Sequence, residues 1–135
     1  MSALTRILFP LPDYRRTPST LLRWWEARRL TYNVAVGCAG VLSLGAIEVF
    51  RLLPPRLPGP GIPWQGVVVY AVLANLGYSL GWGVEMGMRA LWKEQAPDAG
   101  PAMFRQGLTF AVGLTLLPIP VAALSWLARA ISSLF

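Results

Sequence analysis

Asn75, Tyr78, Trp82, Glu85 and Arg89 follow one another at spacings of three, four, three and four residues. At 100° per residue they fall on one stripe of a helix. The stretch around them is otherwise apolar, and hydrocarbon offers an amide or a carboxylate no hydrogen-bond partner. The stripe is therefore expected to face protein or a small hydrated cavity. A carboxylate in such a place either binds a proton, a cation or a cationic ligand, or pairs locally with Arg89 one turn away. The local pair is the simpler reading, since Glu85 lies close to the end of its apolar run, where burying charge costs least.

Beside this stripe, Gly77 and Gly81 form a GxxxG pair, and Ala74 extends the same narrow face. Small residues let helix backbones approach closely, which is how helices associate where water supplies no driving force. Ala35, Ala39 and Ser43 repeat at four-residue spacing and offer a second such face, and Gly83 and Gly87 a third on a different side of their helix. Glu48 and Arg51, three apart, read as a local ion pair. Tyr32 and Asn33 read as interfacial anchors. Enzyme chemistry finds little to work with. The chain has no His, a single cysteine, Cys38, no metal-ligand spacing and no phosphate-binding glycine loop. No catalytic residue, metal or cofactor is expected.

These residues sit in a chain of 135 residues, 55% hydrophobic and 13% charged. That is too little polar surface to enclose a soluble domain, so lipid must supply part of the solvent. The net charge of +6 rests on twelve basic residues, and they cluster at the edges of apolar runs. Positive-inside placement and attraction to anionic headgroups account for them without nucleic acid.

The elements that position the residues follow from the apolar runs. The fold class expected is an all-α membrane protein with three transmembrane helices over about 31–53, 66–92 and 107–131, each long enough for a bilayer core of about 30 Å. Residues 1–30 form a basic arm and a short amphipathic helix at the interface, and residues 31–135 the three-helix transmembrane domain. Thr17 and Pro18 mark the start of the interfacial helix as N-cap and first helical residue. Its membrane-surface contacts are Arg15, Arg16, Trp24, Trp25, Arg28 and Arg29. The Pro/Gly stretch after residue 53 reads as a stiff connector, and 94–106 as a polar loop. Pro118 and Pro120 predict a kink in the third span, in preference to a re-entrant hairpin. No heptad register is visible in residue types.

Nine basic residues fall on one side of this arrangement and three on the other, which predicts a cytoplasmic N-terminus and the C-terminus on the opposite side of a bacterial inner membrane. The partners expected are a bilayer with anionic headgroups and other transmembrane helices, from the same or a different chain. The functional expectation is a noncatalytic accessory or scaffold subunit of a membrane complex, or a self-associating module. The alternative is a small oligomeric transporter or channel using Glu85 and Asn75 in a polar intramembrane path.

Overall fold

Why the chain turns helical at residue 18 is plain from its first turn. The Thr17 side chain accepts a hydrogen bond from the Thr20 amide at 3.3 Å, and Pro18 occupies the first helical position, where its missing N–H costs nothing. The computed structural model describes residues 17–59 and 61–134, apart from the Glu94 side chain. Within them lie four α-helices and no strand: α1 (Pro18–Leu52), α2 (Trp64–Trp92), α3 (Gly100–Leu116) and α4 (Pro118–Ser132), with a 3-10 turn at Lys93–Gln95. Three helical stretches are long and apolar enough to cross a membrane: Pro18–Leu52, Trp64–Trp92 and Gly100–Ser132.

The separate interfacial helix of the sequence reading is absent. Residues 18–30 and the first apolar run form one uninterrupted helix of 35 residues, because no Pro or Gly lies between Pro18 and Gly37 to stop it. At 1.5 Å per residue it rises about 52 Å. The third stretch also begins earlier than residue 107. Pro101 lies in the first turn of α3, a position proline favours, so the polar loop closes by residue 99.

Pro118 and Pro120 break the hydrogen-bond ladder without turning the chain back. Leu117 keeps helical dihedrals of −56° and −34°, and its amide bonds to the carbonyls of Gly113 and Leu114 at 3.1 and 3.3 Å. Pro118 then serves as the first residue of α4. The third stretch therefore runs on through the break and does not turn back as a hairpin.

The helices run up, down and up. Trp25 and Tyr32 of α1 meet Glu85 and Ala74 of α2 in antiparallel order. Phe104 of α3 lies against Trp24 and Trp25, and Thr115 near Gly40, in parallel order. The buried face of α1 is Leu21, Trp25, Arg28, Tyr32, Val36, Ala39 and Ser43. Its spacing of four, three, four, four, three and four residues is the seam of a helix bundle. The sequence reading found no such register because the positions mix aromatic, charged and small residues. Size falls along the seam from Trp25 and Tyr32 to Ala39 and Ser43. The end of the bundle with the large side chains is termed the wide end, and the end with the small ones the narrow end.

At the narrow end, Arg129 of α4 closes the bundle. Its guanidinium donates to the carbonyls of Phe50 and Pro55 at 2.8 and 3.2 Å, and the Trp126 indole donates to the carbonyl of Pro54 at 3.1 Å. A cation on the last carbonyls of α1 satisfies acceptors that the helix leaves open and opposes its negative dipole end. The Glu48–Arg51 pair forms as expected, at 2.8 Å.

At Gly81 an added Cβ would lie 2.7 Å from the Trp25 ring. Gly81→Val is expected to destabilise the fold by about 1–3 kcal/mol through overpacking. Gly83→Val, where an added Cβ meets nothing within 4 Å, should leave it within about 0.5 kcal/mol. Equilibrium unfolding of both variants in the same mild detergent measures the difference.

Candidate functional site

The wide end of the bundle gathers the polar stripe of α2 against the first turns of α1 and α3. Tyr78 and Glu85 are buried, and Trp82 packs partly buried at the edge of the core. Asn75 stands apart from them. Its amide donates back to the carbonyl of Ala71, one turn earlier, at 3.1 Å. The stripe thus divides, with its lower half in the interhelical core and Asn75 satisfied by its own helix.

Glu85 is the centre of the site and is fully buried. A carboxylate removed from water needs donors and countercharge, since desolvating it unpaired would cost several kcal/mol. Three elements answer that need. Trp25 of α1 donates its indole N–H to Oε2 at 2.8 Å. Arg89, one turn along α2, places its guanidinium 3.7 Å from Oε1 and also bonds to Asp98 in the following loop at 3.0 Å. The third is the beginning of α3. Gly100 backs so closely onto the carboxylate that an added Cβ would lie 2.5 Å from Oε2. Ala99, the N-cap, brings no capping side chain of its own, so the buried anion stands at a helix N-terminus, where the dipole favours it.

Around this group the aromatic residues pack edge to face. Trp25 meets Tyr78 with centroids 5.4 Å apart and Phe104 at 6.3 Å, and Tyr78 meets Phe104 at 6.3 Å. Such geometry sets the positive edge of one ring on the negative face of another. The phenol hydroxyls are spent on backbone carbonyls. Tyr78 donates to Trp25 and Tyr32 to Ala74, while Tyr70 shares a hydrogen bond with Thr115 and donates to Ala111. The Arg28 guanidinium stacks 3.7 Å above the Trp24 ring and donates to the Trp24 carbonyl. Arg29 pairs with Glu26 at 2.7 Å and reaches the Tyr78 ring and Ser79.

The sequence-derived membrane-surface set is therefore rearranged. Trp25 and Arg28 are 2% and 8% exposed and face inward, because α1 continues without a break and they share the seam that carries Tyr32 and Ala39. Tyr32, read as an interfacial anchor, is buried for the same reason. Trp24 is partly buried beside them, and Arg15 and Arg16 lie outside the described residues. Of the small-residue faces, Ala39 and Ser43 are buried and Ala35 half-buried. Gly81 takes the Trp25 ring, and the Ala74 carbonyl takes the Tyr32 hydroxyl. At Gly77 an added Cβ would meet nothing within 4 Å.

Sequence reasoning missed Trp25 as the partner of Glu85 and Gly100 as the residue that admits it. A signal was present for the first: Trp25 falls in register with Tyr32 and Ala39 once residues 18–52 are taken as one helix. None existed for Gly100, whose role depends on where α3 begins. Among the described residues, no group of three or more His, Cys, Asp or Glu side chains could hold a metal ion. The assembly of an acid, an indole N–H and a guanidinium links α1, α2 and the loop before α3. No protein-family model, no curated protein and no solved structure matches the chain.

Replacing Glu85 tests the clasp. Glu85→Leu leaves the Trp25 N–H without its acceptor and the Arg89 guanidinium with Asp98 alone, and is expected to cost about 2–4 kcal/mol. Glu85→Gln keeps the shape and one acceptor oxygen and should cost less than half as much. Gly100→Ala should lose about 1–3 kcal/mol by overpacking. A double-mutant cycle with Trp25→Phe, followed by unfolding in detergent, should return a coupling of about 1 kcal/mol or more.

Proposed function

We propose that the chain is a noncatalytic integral membrane protein, a helical module that self-associates or serves as an accessory or scaffold subunit of a larger membrane complex. One observation carries this reading. The polar groups of α2 that chemistry would need are engaged inside the fold, while the opposite side of the same helix is bare. Glu85 and Tyr78 are sealed in the interhelical core. Gly83 and Gly87, on another side of α2, are exposed, and an added Cβ at either meets nothing within 4 Å. A bare GxxxG face is the surface on which a second helix packs closely.

The basic bias toward one end supports a cytoplasmic N-terminus in a bacterial inner membrane. The transporter reading has less support. Asn75 closes on its own helix, and Glu85 is enclosed by Trp25 and Gly100, so the two share no common lining.

Self-association is measured by energy transfer between donor-labelled and acceptor-labelled copies in liposomes, diluted over a hundredfold range of lipid. Transfer should persist on dilution for the parent and fall by about tenfold in apparent affinity for Gly83→Leu/Gly87→Leu. Monomer at every dilution, with no membrane protein copurifying stoichiometrically from its native membrane, would defeat the reading. For the rival, proton and alkali-cation flux through liposomes should be no greater than protein-free background, for both the parent and Glu85→Gln.

A further inference from the structure

A groove runs between α2 and α3 at the wide end of the bundle, with Trp25, Tyr32 and Tyr78 as its floor and a cavity volume of about 570 Å³. We propose that it is a binding site for one acyl chain of an anionic phospholipid, with the phosphate headgroup at the basic end of the bundle. This goes beyond the helix-packing role, which uses the Gly83/Gly87 face.

Length matches one leaflet. Along α2 the lining extends from Tyr70 to Val84, a rise of about 21 Å. One extended hydrocarbon chain can follow it, since the length is of the order of one leaflet of a bilayer core about 30 Å thick.

Chemistry narrows the occupant further. Of the three tyrosines that line the groove, Tyr32 and Tyr78 donate their hydroxyls to backbone carbonyls, and the Tyr70 hydroxyl is bonded to Thr115. They therefore present ring faces and edges to the channel. Gly77 and Gly107 keep it open, since an added Cβ at either would meet nothing within 4 Å. A ligand with polar groups along its length would find no partners here, and an aliphatic tail needs none.

The headgroup follows from charge. One end of the groove lies at the level of Trp25, Val84 and Phe104, the end of the bundle that also carries Arg23, Arg28, Arg29, Arg89, Lys93 and Arg105. Against these six stand Glu26, Glu85, Glu94 and Asp98. Glu85 is buried, and Arg89 already binds Asp98. Lys93 and Arg105, at the ends of the two helices that wall the groove, are exposed. Basic residues at that end favour an anionic over a zwitterionic headgroup.

Native mass spectrometry of the delipidated full-length protein, titrated with phosphatidylglycerol or phosphatidylcholine of identical acyl chains, tests this. One bound phosphatidylglycerol is expected, at about tenfold or greater preference. Gly77→Leu/Gly107→Leu, which fills the channel, should cut that occupancy at least about fivefold with unchanged helix content. Lys93→Gln/Arg105→Gln should erode the headgroup preference and spare binding of the chain itself. Equal occupancy in parent and filled variant overturns the proposal, as does equal binding of the two lipids by the parent. Should the filled variant fail to fold, phosphatidylglycerol with a photoactivatable acyl chain in vesicles decides on the parent alone. Crosslinks concentrated on the peptides around Gly77 and Gly107 support the site. Labelling spread evenly over exposed residues such as Leu30 and Val41, or crosslinking of a second copy at the groove, refutes it.

Discussion

The hydrogen bond from the Trp25 indole to the Glu85 carboxylate joins the two helices that define the bundle, and the rest of the wide end is arranged to make it possible. A fully buried carboxylate is tolerable only when donors and countercharge surround it. That requirement draws in Arg89 from the same helix, Asp98 through Arg89, and the N-terminus of α3 through Gly100. It also dictates glycine at two positions. Gly81 makes room for the Trp25 ring, and Gly100 for the carboxylate itself. The end of the loop that leads into α3 is thereby tied to the core.

A second clasp of opposite sign closes the other end. Arg129 donates to carbonyls at and just beyond the end of α1, where the helix leaves its acceptors open. An acid at the start of one helix and a base at the end of another both oppose helix dipoles. Between the clasps, the seam of α1 passes from aromatic to small residues. Trp25 and Tyr32 line the groove between α2 and α3.

Much of this was legible in the residues themselves. The Thr17–Pro18 start, the second helix, the Glu48–Arg51 pair and the passage of the third stretch through Pro118 and Pro120 all rest on local rules, in which a residue acts on its own turn of helix. The stripe from Tyr78 to Glu85 was visible because helical spacing alone aligns it. Errors arose where a local signal was ambiguous about its neighbours. Trp24, Trp25, Arg28 and Arg29 have the composition of a headgroup-facing helix, yet two of the four face inward. Amphipathic composition cannot tell a lipid interface from a protein seam when both accept Trp and Arg. Pro101 was read as a loop residue because proline both ends helices and begins them.

Apolar length and the spacing of prolines determined by themselves that there would be three helical stretches able to cross a membrane, and roughly where each would lie. They did so because backbone hydrogen bonding in a helix is satisfied within the segment and asks nothing of the rest of the chain. Only the tertiary structure decided what Glu85 binds, why residues 81 and 100 must be glycine, and that the Gly77 surface opens onto a groove while Gly81 is filled. Those outcomes depend on the distance between helices, set by the side chains stacked along the α1 seam. That distance belongs to no single segment of the chain.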